Sequence, residues 1–313
     1  MRALITGGTG LIGRALTAEL AAHGYEVVIL SRNPERAGGP PAGARLVAWD
    51  GRTAAGWGAE VEAADVVVNL AGESIAGESL PAILFRRWTA DQKQRLLESR
   101  VNAGRAVVEA IQAASRKPRL LIQASAVGYY GARRSEELGE GAVSGDDALA
   151  RICVEWEAST LAAETQGVRR VIIRTGVVLS PAGGVLPLVI LPFRLFMGGR
   201  LGSGRQWFPW IHIADEVAAI RFLIENRAAR GAFNLAAPNP LTNAAFGKLA
   251  GKVLGRPSFV PVPAFALRLL LGEMATTVLD GQRAVPQRLL ALGFTFRFPD
   301  AEAALRDLLT KSG

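Results

Sequence analysis

The chain has 313 residues, half of them hydrophobic, which suits one large α/β domain with a smaller companion and is too apolar for disorder. One cysteine, Cys153, excludes an intrachain disulfide, and with only His23 and His212 as histidines no metal centre is expected. The net charge of +8 comes from basic residues scattered singly or in pairs such as Arg169-Arg170, without a basic run or an interleaved aromatic platform, so no nucleic-acid partner is expected.

The first residues run straight from a short apolar strand into a glycine loop, which reads as fold and not as a signal sequence. Strands are predicted at Ala3–Thr6, Glu26–Ser31, Arg45–Ala48, Val66–Leu70, Leu120–Ala124 and Arg170–Thr175, each a β-branched run. Helices are predicted at Leu11–His23, Gly58–Ala63, about Ala90–Ser115 and Asp146–Thr165. Pro40-Pro41 mark a surface loop after the second strand. The β-α-β-β-α-β-α-β order implies a Rossmann-type doubly wound parallel sheet, with helices on both faces.

Beyond residue 180 the pattern changes. Val185–Phe193 is the most apolar stretch, but it is short and broken by Pro187 and Pro192, so it does not span a bilayer. No membrane partner and a cytoplasmic address are expected. A helix near Asp215 and further helices at Asn243–Leu254, Ala264–Leu271, Gln287–Leu292 and Asp300–Leu309 make a smaller, mainly helical C-terminal cap. The expected division is a core of residues 1–180, with 205–236 returning to it, and a substrate-side lid and cap of residues 181–204 and 237–313.

Between the first strand and the first helix lies Thr6-Gly7-Gly8-Thr9-Gly10-Leu11-Ile12-Gly13. Gly7, Gly10 and Gly13 answer three needs: a tight turn, backbone close to a pyrophosphate, and a helix packed on its strand. The free N–H groups at the helix start, Leu11 and Ile12 with Gly13, then meet the negative charge. This arrangement holds a dinucleotide. The second strand ends Leu30-Ser31-Arg32-Asn33, without the carboxylate that would bind a ribose 2′-hydroxyl. Arg32 can fork onto a 2′-phosphate and Ser31 can add a hydroxyl, which favours NADP(H). Two segments fall at the same sheet edge: Asn69-Leu70-Ala71-Gly72 beside the adenosine, and Arg174-Thr175-Gly176-Val177-Val178 beside the nicotinamide.

With these segments the chain resembles the extended short-chain dehydrogenase/reductase superfamily, and within it an atypical nucleotide-sugar-epimerase-like branch. The likeness runs end to end through Arg87-Trp88, Ser99-Arg100, Gly128-Tyr129-Tyr130-Gly131, Trp156-Glu157, Gly202-Ser203-Gly204-Arg205-Gln206 and Trp210-Ile211-His212-Ile213. Its tail, Gly281-Gln282-Arg283 with Pro286 and Gly293-Phe294, resembles a short C-terminal domain of unknown function. The resemblance implies an NADP(H)-binding core, a substrate site against the cap, and cofactor contacts from Arg100, Leu70, Ala71 and Val178. The competing reading of Arg100 is an exposed side chain paired with a carboxylate.

Superfamily chemistry uses Tyr and Lys four residues apart on the helix after the fifth strand. Alignment through Trp156-Glu157 puts Leu149 and Cys153 there, and that helix holds no tyrosine or lysine. Candidate substitutes are Ser125, at the position of the superfamily's hydroxyl donor, Tyr129 in the following turn, and Glu73 beside the cofactor-facing turn. Each has a plainer alternative: a tied-down ring for Tyr129 or Tyr130, and an exposed loop carboxylate for Glu73. Glycines around Tyr130 and Arg134 argue for a loop, so their four-residue spacing carries little. Cys153 and His212 read as core residues.

Gly184–Gly204 reads either as a flexible, glycine-hinged lid, with Arg194, Arg200 and Arg205 available to an anion, or as a packed core or dimer segment with those arginines at its edge. Trp207, Phe208 and Trp210 either stack a flat ligand or form core of the cap. The expected partners are a small-molecule substrate, anionic or nucleotide-linked, and a second copy of the chain in a homodimer. Two functions follow: an NADP(H)-dependent oxidoreductase or epimerase-like enzyme without the usual dyad, or a noncatalytic NADP(H)-binding sensor or interaction protein.

Overall fold

The computed structural model describes every residue except 37, 38, 40–42, 75–87, 134 and 311–313. Pro40-Pro41, Arg87 and Arg134 therefore lie outside the described residues. The chain opens with β1 (Arg2–Thr6), α1 (Leu11–Ala22), β2 (Glu26–Ser31), β3 (Ala44–Ala48) and α2 (Gly58–Ala63). It continues through β4 (Val66–Asn69), α3 (Ala90–Ala113) and β5 (Leu120–Ala126). A 3₁₀ turn, Val127–Tyr130, leads to β6 (Glu137–Leu138), α4 (Ala148–Ala158), β7 (Arg169–Thr175), β8 (Val177–Ser180), β9 (Gly183–Gly184) and α5 (Leu186–Arg194). Next come β10 (Trp207–Phe208), β11 (Trp210–His212), α6 (Ile213–Glu225), β12 (Gly231–Leu235), β13 (Leu241–Thr242) and α7 (Asn243–Leu254). The C-terminal part holds α8 (Ala264–Leu271), α9 (Thr276–Leu279), β14 (Arg283–Ala284), α10 (Gln287–Ala291) and α11 (Ala301–Thr310).

The seven-stranded sheet runs β12-β7-β5-β4-β1-β2-β3, all parallel. Strand periodicity of two builds a core on each face. Ala3 and Ile5 of β1 face Leu16 and Leu20 of α1 and Ile220 and Leu223 of α6. Leu4, between them, joins Val28 and Val67 against Val107 and Ile111 of α3. Helix starts follow their caps: Thr89 accepts from the Gln92 N–H, Asp147 from Ala150 and Thr242 from Ala245.

Three expectations need correction. A seventh strand, β12, extends the sheet beside β7; its GAFNL sequence carries glycine and asparagine, which hid it. The helix predicted over Asp146–Thr165 ends at Ala158 and resumes as a 3₁₀ segment, Leu161–Gln166. The helix expected near Asp215 is present: it begins at Ile213 with Asp215 in its first turn, His212 Nδ1 accepts the Ala214 N–H, and the Asp215 carboxylate accepts N–H bonds from Arg297 and Phe298 at 2.8 and 2.9 Å.

The largest correction concerns the lid. Leu186–Arg194 is a helix, with Pro187 in its first turn where no N–H is needed, and Leu186, Ile190 and Phe193 buried. The following stretch is stitched to the cap by Val260 N–H to Gly198 O (3.0 Å), Val262 N–H to Arg200 O (2.9 Å) and Gly202 N–H to Val262 O (2.8 Å). A hinged strap would leave these backbone groups to solvent.

Candidate functional site

The carboxyl ends of β1, β4 and β5 are joined by buried polar side chains. Thr6 Oγ1 donates to Asn69 Oδ1 at 2.6 Å, and Asn69 Nδ2 donates to Gln123 Oε1 at 2.9 Å. Thr6 also accepts the Ala71 N–H at 3.2 Å, and its carbonyl accepts the Leu70 N–H at 3.2 Å, so the turn after β4 is fixed against the glycine loop.

That loop tolerates no side chain where it is tightest. Gly7 has φ +69°, and a Cβ there would lie 2.7 Å from the Leu70 carbonyl. On Gly13 a Cβ would lie 2.3 Å from Gly7 O. Gly10 caps α1 without a side-chain hydrogen bond, and the first turn holds no acidic residue. The first N–H groups of α1 thus have no intrahelical acceptor and open beside Gly10. The β8–β9 hairpin comes over this point: a Cβ on Gly184 would lie 2.9 Å from Leu11 Cδ2 and 3.8 Å from Val178 O. Gly7, Gly10, Leu11, Ile12, Gly13, Leu70, Ala71 and Val178 are thereby brought to one sheet edge.

Ser31 is buried at the end of β2, its hydroxyl 3.3 Å from the Asn33 N–H. Arg32 is exposed next to it, its stem beside Gly51, with no ion pair or hydrogen bond to any described residue. Arg14, which the sequence reading missed, donates from Nε to Thr9 O (3.0 Å) and from Nη1 to Gly39 O (3.3 Å).

Arg100 is buried, which sets aside an exposed arginine paired with a carboxylate. Nη1 donates to Leu96 O at 2.9 Å, Nη2 to Glu73 O at 3.0 Å, and the guanidinium lies 4.9 Å from the Trp156 ring centre. Burial lowers its pKa, against the pull of neighbouring Cys153 and Glu73. Glu73 is held through its backbone, its N–H donating to Ser99 Oγ at 3.1 Å.

Behind this edge lies a second polar cluster. Ser125 Oγ donates to Glu157 Oε1 at 2.7 Å. Arg174 grips the same carboxylate with two parallel bonds, Nε to Oε1 at 2.8 Å and Nη2 to Oε2 at 3.0 Å. Its Nη1 reaches Tyr130 Oη and Glu140 O, both at 3.2 Å. Burial works against the Arg174 charge, but Glu157 and Tyr130 outweigh it and raise the pKa. Sequence reading missed Glu157 and Arg174 as partners.

The expected loop at Tyr129 and Tyr130 is a 3₁₀ turn closed by Gly131 at φ +65°. Tyr130 is fully buried, donating to Asn234 Oδ1 at 2.6 Å, and burial raises its pKa. Tyr129 lies face-on to the Arg174 guanidinium, 3.4 Å from its ring centre, and its hydroxyl bonds to no described residue. Leu149 and Cys153 of α4 face the same turn, within 4 Å of where a Gly128 Cβ would sit. Burial first, then the Glu157 charge, pushes the Cys153 thiol up to about 12, so it stays protonated. His212 is buried against Phe298 (3.9 Å between ring centres) and serves as the α6 cap.

Of the arginines and aromatics read as substrate-side, Arg194, Arg200 and Arg205 are exposed, and Trp210 is core. Trp207 packs against Gly281 and lies 4.9 Å from the Arg283 guanidinium, and Gln282 Nε2 donates to Gly131 O at 2.9 Å. The cap thus reaches the Tyr129 turn through this short motif.

Comparison with known proteins matches residues 3–236 to the NAD dependent epimerase/dehydratase family and residues 262–308 to a domain of unknown function, DUF1731. The chain is similar to Epimerase family protein YfhF of Bacillus subtilis (strain 168), 41% identical over 99% of this chain and 98% of that one. Among solved structures, human epimerase family protein SDR39U1 (isoform 2), crystallised with NADPH, matches with a TM-score of 0.86 and 35% identity, covering 99% of both chains. UDP-glucose 4-epimerase of Thermus thermophilus in complex with NAD is 17% identical with a TM-score of 0.74 over 99% of this chain and 98% of that one, which shows the shared fold. A Rossmann-like parallel sheet, its glycine loop and a C-terminal DUF1731 region meet in one molecule, and the chain belongs to the NAD dependent epimerase/dehydratase family.

Proposed function

We propose that this protein binds NADP(H) and acts as an oxidoreductase or epimerase-like enzyme on a small substrate held between the sheet edge and the C-terminal cap. The observation that carries the cofactor reading is the pairing of two anion-receptive features: the start of α1, where Gly10 leaves the first N–H groups without a side-chain cap, and Arg32, unpaired among the described residues at the end of β2. The solved human relative with NADPH supports the same choice. Pyrophosphate would meet the N–H groups from Leu11 to Gly13, Ser31 and Arg32 would take the 2′-phosphate, and Leu70, Ala71, Arg100 and Val178 would border adenosine and nicotinamide.

The bound cofactor supplies hydride transfer, and the chain must supply the proton. Ser125 already donates to Glu157, and Cys153 holds its proton far above neutral pH. Tyr130 is tied to Asn234, which leaves Tyr129 as the hydroxyl of the 3₁₀ turn with no hydrogen bond to a described residue and with a cation against its ring. It is the proposed proton donor, with Ser125 and Glu73 as weaker alternatives.

Fluorescence titration tests the first claim: NADPH should bind at least tenfold more tightly than NADH. Arg32→Ala should weaken NADPH by about 10- to 100-fold, the range of one or two charge-assisted hydrogen bonds, and leave NADH unchanged. Equal affinity for the two cofactors would sink the 2′-phosphate assignment. For the second claim, Tyr129→Phe should abolish NADPH turnover in a carbonyl and nucleotide-sugar screen while preserving cofactor affinity.

A noncatalytic NADP(H) sensor is the second reading, favoured by Leu149 and Cys153 facing the turn where the dyad would act. It predicts tight NADPH binding with no turnover in that screen.

A further inference from the structure

Two stretches of the cap side, residues 181–214 and 237–272, contain no aspartate or glutamate. Between them they carry Arg194, Arg200, Arg205, Lys248, Lys252, Arg256 and Arg268. The backbone bonds from 198–202 to 260–262 make these stretches neighbours in space as well. Among the described residues only Lys252 is within ion-pair distance of a carboxylate, Glu302 at 2.8 Å. Arg268 also feels the charge of Asp280.

Large apolar side chains are exposed on the same two stretches. Leu195, Phe196 and Met197 form a turn that is more than half exposed, and Phe196 is the one non-glycine residue with positive φ among those described, at 61°. Arg256 lies over its ring at 4.3 Å. On the neighbouring extended segment Phe259, Pro261 and Pro263 are exposed, while Val260 and Val262 turn inward. The segment runs into α8, where Phe265 and Leu269, one turn apart, are 73% and 75% exposed and Phe259 is 74% exposed. Soluble surfaces do not gather this much apolar area without a use for it.

We propose that this face docks on an anionic lipid bilayer as a peripheral contact, with Phe196, Met197, Phe259, Phe265 and Leu269 entering the headgroup boundary and the arginines resting on acidic headgroups. The chemistry favours that occupant over a second copy, because two such faces would set positive charge against positive charge. The expectation of no membrane partner rested on the lack of a spanning segment, and no described helix is long and apolar enough to cross a membrane. Peripheral docking needs none.

The test is co-sedimentation of the full chain with vesicles of phosphatidylcholine alone and of phosphatidylcholine with one-quarter phosphatidylglycerol. The expected result is at least tenfold more binding to the anionic vesicles, most of it lost in 0.5 M salt. The double variant Phe265→Asp with Leu269→Asp should lose anionic binding by at least tenfold, with an unchanged melting temperature and unchanged NADPH titration. Arg256→Gln with Arg268→Gln should reduce it several-fold. Equal binding to both vesicle types, or none to either, overturns the proposal. So does a native dimer that the aspartate variant converts to monomer without any vesicle binding.

Discussion

Cys153 falls where the sequence reading expects the lysine of a Tyr-Lys dyad, and its surroundings keep it inert. Burial and the Glu157 carboxylate hold its thiol near 12, so thiolate is scarce across the neutral range. Iodoacetamide at pH 8 should therefore label the native chain at least a hundredfold more slowly than the unfolded one; comparable rates would contradict the buried geometry. At this scale residue type carried real information. Arginine where a carboxylate belongs at the end of β2, and leucine and cysteine in place of the dyad, are visible without coordinates. The Ser125–Glu157–Arg174 cluster was not legible, because its members lie 32 and 17 positions apart and a glutamate on a helix reads as a solvated one.

Between elements the decisive groups are buried carboxyls. Glu216 of α6 is fully buried, accepts from Thr175 of β7 at 2.9 Å, and leaves Oε2 without a partner among the described residues. Burial pushes its pKa up to about 8, with the Thr175 bond opposing. Unfolding returns it to the usual carboxylate range, so between about pH 4.5 and 8 the folded chain holds a proton that the unfolded chain releases. Stability from this group is fullest below that window, falls as pH rises through it, and levels off above pH 8. Glu216→Gln removes the titration. Melting temperatures of the variant should fall less than those of the native chain between pH 5 and 8, and the two should diverge most at the alkaline end. Parallel curves would show that Glu216 ionises normally. Elements with strong caps were legible, as at Thr89, Asp147 and Thr242. α5 was not, because its prolines read as breakers although Pro187 sits in the first turn, where a proline costs nothing. β12 depends on β7 for its pairing, and its own five residues carry little strand propensity.

Across the molecule, the sheet and the DUF1731 region share hydrogen bonds that neither can replace. Asn234 of β12 donates from Nδ2 to Leu138 O and Val285 O, both at 3.0 Å, and accepts from Tyr130. Glu140 accepts the Asn234 N–H at 3.1 Å and the Arg288 N–H at 3.2 Å. Asp215 holds the backbone at Arg297 and Phe298. Removing residues 262–313 would strand several of these buried groups, each at about 1–3 kcal/mol, and uncover the apolar cluster of Leu186, Phe193 and Phe246. The full chain should melt in one transition by circular dichroism, whereas a chain cut after Pro261 should show no cooperative melt. Two resolved transitions in the full chain would mean that the regions fold independently. The doubly wound order was readable from alternating runs and helices, but this coupling was not, since its partners are up to 151 residues apart.

The chain of Thr6, Asn69 and Gln123 across β1, β4 and β5 also acts as a register lock. A slip of one residue in β4 would turn Asn69 into the apolar core on one face and strand its neighbours Thr6 and Gln123 without partners. The lock closes contacts separated by 63 and 54 residues, and such long loops are slow to close. Helices can form well before this. The turn from Leu70 to Gly72 hangs from Thr6, so its shape depends on the pairing of three strands that are distant in sequence.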